Sequence, residues 1–396
     1  MDSPRGRIYL MKLAKEGAVE INERWVSHFD SCLGCMACMT ACPSGVDYGK
    51  LIEATRAQIE RNYPRSASEK LHRRFLFEAF TKPERMRYMR WPLLAYQKSG
   101  LQRLLRGMGI FKVLPQSLEA MEALMPNVRE QETVLEVTPA QGPKRGRVGL
   151  LLGCVQRTFF SHVNAATVRV LSAEGFEVVA PREQPCCGAL LIHAGEEERA
   201  LELARKTIDV FEQAKVETIV TNAAGCGSNV KEFGHLLRDD PHYATRAREF
   251  AAKCKDISEV LFNIEPRVAR KPLALRVAFH DSCHLQHAQG VRAQPRALLA
   301  GIPGLEMAEI PEAPICCGSA GIYNLVQPKA ANELGDRKAA LIAPLRADVV
   351  ATGNPGCLLQ LQASLARAGE RTPVVHTVQL LDASIRGASA ESVLRK

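Results

Sequence analysis

Several common devices are missing from this chain, and each absence removes a class of function. The first residues, Met1-Asp-Ser-Pro-Arg-Gly-Arg7, mix acid and base and hold no apolar core of a secretory signal. No run of eighteen consecutive apolar residues offers a spanning helix, so a cytoplasmic protein is expected, reaching a membrane only through its surface or a partner. There is no dinucleotide fingerprint, phosphate loop or serine nucleophile elbow, so no flavin or other organic cofactor is expected in this chain. Disulfide stapling is excluded too: thirteen cysteines in 396 residues are sparse, odd in number and clustered, as metal ligands are in a reducing compartment.

What is present starts with Cys32-Leu-Gly-Cys35-Met-Ala-Cys38-Met-Thr-Ala-Cys42-Pro43. Three thiolates two residues apart can wrap one face of a compact iron-sulfur cube, and the fourth, displaced by one more residue and fixed by a proline turn, points elsewhere. This is the bacterial ferredoxin-type spacing for a 4Fe-4S cluster. Cys32, Cys35 and Cys38 are its expected ligands, while Cys42 would serve a neighbouring cluster for which these residues hold no second run. Zinc, which prefers two ligand pairs across a longer loop, fits the spacing less well.

A length of 396 residues, 46% hydrophobic and 24% charged, suits a folded protein of two or three domains. Most of the formal charge of +9 is local: residues 61–112 hold thirteen Lys or Arg against Glu69, Glu78 and Glu84, interleaved with Phe75, Phe77, Phe80, Tyr88, Trp91 and Tyr96. That mixture suits a solvated helical face, or docking to an acidic partner or anionic membrane surface. No recognition motif accompanies it, so no nucleic acid is expected. The stretch reads as helical, interrupted at Pro83 and Pro92, and 127–146 reads as a linker.

Beyond that linker the chain repeats itself. Arg147–Cys154 answers to Arg276–Cys283, Cys186-Cys187-Gly188 to Cys316-Cys317-Gly318, and Gly225-Cys226 to Gly356-Cys357, at offsets of 129, 130 and 131 residues. Strand-like segments (Phe176 to Ala180, Val216 to Thr221, Ala347 to Thr352) alternate with helical ones (Ala194 to Gln213, Gln327 to Ala343), which predicts two α/β units with a short parallel sheet in each. Each presents a cysteine tetrad at strand ends: Cys154, Cys186, Cys187 and Cys226, then Cys283, Cys316, Cys317 and Cys357. These eight thiols suit a second iron-sulfur or metal centre, thiol redox chemistry, or a remnant of either. Cys254 lies outside the pattern as a small buried hydrophobe. His280, His284 and His287 could tune a nearby centre or satisfy local backbone, and Asn222, Asn324 and Asn354 could donate to sulfur or terminate strands.

The ferredoxin run together with two Cys-Cys-Gly modules resembles the iron-sulfur proteins that carry duplicated cysteine-rich domains of the heterodisulfide reductase type. Within them the chain is most similar to the glycolate oxidase iron-sulfur subunit family. The likeness rests on Asp2-Ser-Pro-Arg-Gly-Arg-Ile8, Cys32 to Val46, Asn164 to Thr167, Gly225 to Gly227, Lys231 to Gly234, His280 with Leu285 to Gln289, and Cys316 to Gly321. It implies an α + α/β fold: an N-terminal alpha-helical ferredoxin-like domain (1–60), a basic helical segment (61–126), a linker (127–146) and two duplicated α/β cysteine-rich modules (147–262 and 272–385). It also implies a non-catalytic electron-transfer subunit that takes electrons from FAD-binding glycolate oxidase subunits and passes them to a quinone or other membrane redox acceptor. That places it in the cytoplasm, peripheral on the cytoplasmic face of the inner membrane. Members of the family usually carry two ferredoxin runs, the first ahead of the Ser-Pro-Arg-Gly-Arg segment that here begins at residue 3. A longer reading frame would restore a second 4Fe-4S cluster, and without it Cys42 must close the single one. Family modules often end in Cys-x-x-Cys, whereas Cys226 and Cys357 stand alone. The rival readings are an iron-sulfur subunit of a lactate or anaerobic glycerol 3-phosphate dehydrogenase, a disulfide reductase subunit, and a cluster-bearing redox sensor.

Overall fold

The computed structural model describes residues 1–394. Its N-terminal part is helical for reasons visible in the caps. Ser3 caps Pro4–Lys15, Asn22 caps Glu23–Asp30, Asp47 caps Tyr48–Asn62, and Ser66 with Glu69 forms a capping box for Ala67–Phe80. Leu10, Trp25, Val26, Phe29, Ile52 and Ile59 are buried together as the small core of the first three of these helices. Arg65, itself buried, ties this unit down by a paired contact to Asp30 at 2.9 and 3.0 Å and another to Glu60 at 2.7 Å.

The basic segment is helical, with one difference from the sequence expectation. Pro83 starts the helix Pro83–Lys98, but Pro92 lies inside it without interrupting it. Tyr88, whose carbonyl loses its partner to the proline, is on the exposed face where water can replace the bond. The stretch 127–146 contributes β1 (Val137–Thr138), an edge strand of the first sheet that runs antiparallel to its neighbour.

Two sheets follow. The first has β2 (Gly146–Leu151), β3 (Phe176–Val179), β4 (Thr218–Thr221) and β5 (Cys254–Asp256) in the order β1-β3-β2-β4-β5, parallel apart from β1. The second has β6 (Leu275–Phe279), β7 (Leu305–Glu309), β8 (Val349–Thr352) and β9 (Val374–His376) in the order β7-β6-β8-β9, all parallel. Register repeats as well: Val148 sits opposite Val178 and Thr218, and its counterpart Val277 opposite Met307 and Val349. Helices cover both faces, which is why the central strands are continuous apolar runs. Cys254 opens β5 as a buried side chain of the first module's core.

The modules pack on each other twice in the same way. Helix Ser161–Ala173 lies on Thr377–Arg386, and Ile257–Phe262 lies on Ala293–Ala300, so a helix between the first two parallel strands of each module meets the helix after the last strand of the other. The result is one shared core in which Val163, Val170 and Leu171 join Leu299, Leu380 and Leu381. Arg169 seals one side by gripping Asp382 at 2.9 and 2.8 Å.

His376 locks the same junction. Its Nε2–H donates to Asn222 O at 2.7 Å, and its Nδ1 accepts from Val378 N at 3.1 Å, an arrangement open only to the neutral ring. Burial, with His162 charge nearby, lowers its pKa to about 4. The folded value lies below the unfolded one, so the contribution is complete above about pH 6.5 and is lost as pH falls towards 4. A shift of that size corresponds to about 3 kcal/mol. Urea unfolding at a series of pH values should show this acid loss, and His376→Asn should flatten it while lowering stability at pH 7.

Candidate redox site

The run is shaped by its backbone. Met36 adopts a left-handed conformation (φ 61°), a strained state for a side chain of its size, and starts the short helix Ala37–Thr40 that carries Cys38. Cys32 Sγ accepts from Gly34 N at 3.4 Å and lies 3.7 Å from Tyr48 OH. Arg56 bonds the carbonyls of Phe29 and Cys32 and, at 2.9 Å, that of His193 in the first module, so one guanidinium joins the loop to the module behind it. Cys42 faces a turn whose backbone N–H groups, Val46 and Ser44 foremost, hold its thiol below the usual range.

Both tetrads sit where strand order reverses, at the carboxyl ends of three adjacent strands of each sheet. Cys154 follows β2, Cys186 and Cys187 follow β3, and Cys226 follows β4. Cys283, Cys316 with Cys317, and Cys357 follow β6, β7 and β8. Cys186 Sγ is 3.4 Å from Cys154 Sγ, and Cys316 Sγ is 3.8 Å from Cys283 Sγ. Gly188 N and Gly318 N point at Cys186 and Cys316 at 3.5 and 3.4 Å. Seven of these eight thiols are buried, Cys226 being partly exposed. Contact with Cys186 and burial push the Cys154 thiol well up, and contact with Cys316 and burial do the same to Cys283. Such crowded thiols deprotonate together only beside a compensating positive charge, which a bound metal supplies.

The tetrads differ in their surroundings. In the second module His280, Cys317 and Cys357 bring ligand atoms within 4.8 Å of one another, the one such convergence of His, Cys, Asp or Glu among the described residues. Asn354 Nδ2 donates to Cys357 Sγ at 3.5 Å, and His284 Nδ1 lies 3.4 Å from Cys283 Sγ. In the first module Leu151 stands where His280 does, and Arg157 where Gln286 does. The Arg157 guanidinium is held by Gly153 O and Gln184 O at 2.9 and 2.7 Å, and its charge acts on Cys154, Cys186 and Cys226. Asn222 and Asn324 bond other side chains rather than sulfur: Asn222 donates to Asn164 and Thr167, and Asn324 to Gln360.

The ferredoxin run and the second tetrad are neighbours. Thr40 Oγ1 lies 2.7 Å from His287 Nδ1, and Tyr323 OH donates to Ser31 O at 3.2 Å. Burial pushes the Cys35 thiol up to about 12, and the charge of Cys316 adds to the rise. Beside them a cavity of about 400 Å³ opens among Leu33, Arg73, His193 and Tyr323. Sequence spacing gave no sign of Tyr48, Arg56, His193 or Tyr323, because each acts across a fold contact. The ring of His193 lies 4.9 Å from that of His284, between centroids.

Residues 68–125 match the family described as the glycolate oxidase iron-sulfur subunit, linker region, and residues 148–231 and 277–362 match the cysteine-rich domain family. The chain is 40% identical over 389 residues to the probable glycolate oxidase iron-sulfur subunit of Bacillus subtilis (strain 168), covering 96% of this chain and 87% of that one. It is 36% identical over 393 residues to the glycolate oxidase iron-sulfur subunit of Escherichia coli (strain K12), covering 97% and 88%. Lactate utilization protein A of an Exiguobacterium species is 30% identical over 242 residues, which is 61% of this chain and 99% of that protein.

Proposed function

Because this chain belongs to the glycolate oxidase iron-sulfur subunit family, we propose that it relays electrons from FAD-binding subunits that oxidise glycolate to glyoxylate towards a quinone or other membrane acceptor. Hydroxy-acid chemistry belongs to those partners. When bound, an iron-sulfur cluster takes and gives single electrons, which matches a two-electron flavin to a chain of one-electron steps. Cys32, Cys35 and Cys38 would hold a 4Fe-4S cluster. The Cys-Cys-Gly modules would hold a further centre, and Cys42 is left for a second ferredoxin-type cluster or for closing this one.

The observation that carries this reading is the docking of the Cys32–Cys42 run on the second tetrad's module, through Thr40 with His287 and Ser31 with Tyr323, which sets Cys35 near enough to Cys316 for their charges to interact. Around them Tyr48 and Arg56 fix the Cys32 loop. The exposed Leu71, Phe75, Tyr88 and Trp91, set among basic residues, support docking of the helices 67–98 on a partner or an anionic leaflet. No helix of the described residues is long and apolar enough to cross a membrane.

The lactate reading is weaker because that relative matches 61% of this chain, whereas the glycolate oxidase subunits match it almost throughout. The two are separated by reducing the assembled complex anaerobically with one substrate at a time. Glycolate should generate the electron paramagnetic resonance signals of reduced clusters within seconds, and lactate and glycerol 3-phosphate should not. Signals raised by lactate or glycerol 3-phosphate alone would overturn the assignment.

A further inference from the structure

The structure assigns the two cysteine-rich modules different roles: we infer that the second module holds the iron-sulfur centre, with His280 as a nitrogen ligand beside its thiolates, and that the first module is a metal-free thiol site. This rests on the electron-transfer reading above and adds to it a ligand and a location.

Three observations carry it. His280 is 1% exposed, and neither ring nitrogen meets a nitrogen or oxygen partner among the described residues, its polar neighbour being the Cys357 sulfur. A buried imidazole without a partner forfeits the bonds it made to water, a cost that structures seldom carry without compensation. Its ligand nitrogen lies within 4.8 Å of Cys317 and Cys357 Sγ, and Cys283 and Cys316 form a second pair 3.8 Å apart in the same strand-end crevice. A set of thiolates with one imidazole is a donor set for iron-sulfur centres and zinc.

The first module has a like thiol pair, Cys154 and Cys186 at 3.4 Å, but lacks the histidine. At the position of His280 it has Leu151, an apolar side chain that ligates nothing. At the position of Gln286 it has Arg157, whose fixed positive charge already acts on Cys154, Cys186 and Cys226. A guanidinium there compensates one thiolate charge and repels a metal cation, which disfavours metal in this tetrad. In the second module Gln286 brings no charge, and both of its side-chain polar atoms are buried without partners.

The repeat also shows why a nitrogen donor is needed. A further cysteine three residues after Cys226 or Cys357 would fall at Asn229 or Gln360, and both positions are taken by structural bonds. Asn229 donates to Cys187 O at 2.6 Å, and Gln360 bonds Asn324 and Ala331 O, each at 3.1 Å. Among the described residues, His280 is the extra donor that converges with Cys317 and Cys357.

The test is made on the full chain, purified anaerobically. Iron, zinc and acid-labile sulfide are measured per chain, and nitrogen hyperfine coupling is read by pulsed electron paramagnetic resonance with and without ¹⁵N-labelled histidine. His280→Leu and Cys357→Ser should each lose one centre's iron and sulfide and the histidine coupling. His280→Cys should keep the iron and lose the coupling, an outcome that a merely structural histidine would not give. Cys154→Ser and Cys187→Ser should leave iron, sulfide and coupling unchanged. Full iron and unchanged coupling in His280→Leu would overturn the ligand assignment. Zinc without sulfide in the second module would overturn the iron-sulfur assignment, and iron lost on Cys187→Ser would overturn the division of roles. Signals of the Cys32, Cys35 and Cys38 cluster should persist in every variant, so their loss throughout would count against the electron-transfer reading instead.

Discussion

Cys35→Ser should abolish glycolate-driven reduction of the downstream acceptor, by on the order of 100-fold or more, and remove about four irons per chain. Loss of a partner to a ligand typically costs a metal site 10- to 100-fold, so loss of the ligand itself should cost at least that. Cys35 is the thiol of the run whose neighbour is Cys316, so its replacement should break both the ferredoxin-type centre and the approach to the second module. Cys254→Ser is the comparison. Cys254 is more deeply buried than Cys35, but it packs in the core of the first module and lies outside both tetrads. It should cost about 1–2 kcal/mol of stability and no iron. Iron and sulfide analysis beside the turnover assay decides the matter: a Cys35→Ser protein with native iron content and native rate would remove the run from the electron path.

The second large effect separates two copies of one motif. Gly188 and Gly318 close the two Cys-Cys-Gly turns, both in the left-handed region at φ 83° and 91°. A Cβ on Gly188 would sit 3.4 Å from Ala200 O, an ordinary contact, whereas one on Gly318 would collide with the Ala331 carbonyl. That carbonyl already accepts from Gln360 Nε2 at 3.1 Å, and it belongs to helix Pro328–Ile342, so it cannot retreat cheaply. Gly188→Ala should therefore cost only the backbone strain, roughly 1–2 kcal/mol, and Gly318→Ala the strain plus overpacking, roughly 3–5 kcal/mol. Urea unfolding of the two variants measures the difference directly. Equal losses would mean that the helix moves aside and that the turn tolerates a side chain.

Local pattern in the sequence determined much of this protein. The two-two-three spacing before Pro43 pointed to a cluster run, and the offsets of 129 to 131 residues identified the duplication. Alternating strands and helices predicted two parallel sheets, and the structure has them in the same strand order twice. Helix bounds were close: Ala194 to Gln213 was expected, and Glu197–Gln213 is found. Pro92 was misread because a proline's effect depends on whether water can reach the carbonyl it orphans, and exposure is not written in the sequence around it.

Tertiary structure alone decided which sulfur sites are neighbours. Cys35 and Cys316 are 281 positions apart, and their segments are brought together where Thr40 bonds His287 and Tyr323 bonds Ser31. It also decided that the two tetrads are unequal. The repeat could be aligned from sequence, but only the fold shows His280 facing sulfur with no nitrogen or oxygen partner beside Cys357, and Arg157 holding its charge against Cys154. Spacing and periodicity report on the few residues that share a turn or a strand. The chemistry of a site depends on charge, burial and unsatisfied donors, which arise when segments remote in sequence exclude water from the same crevice.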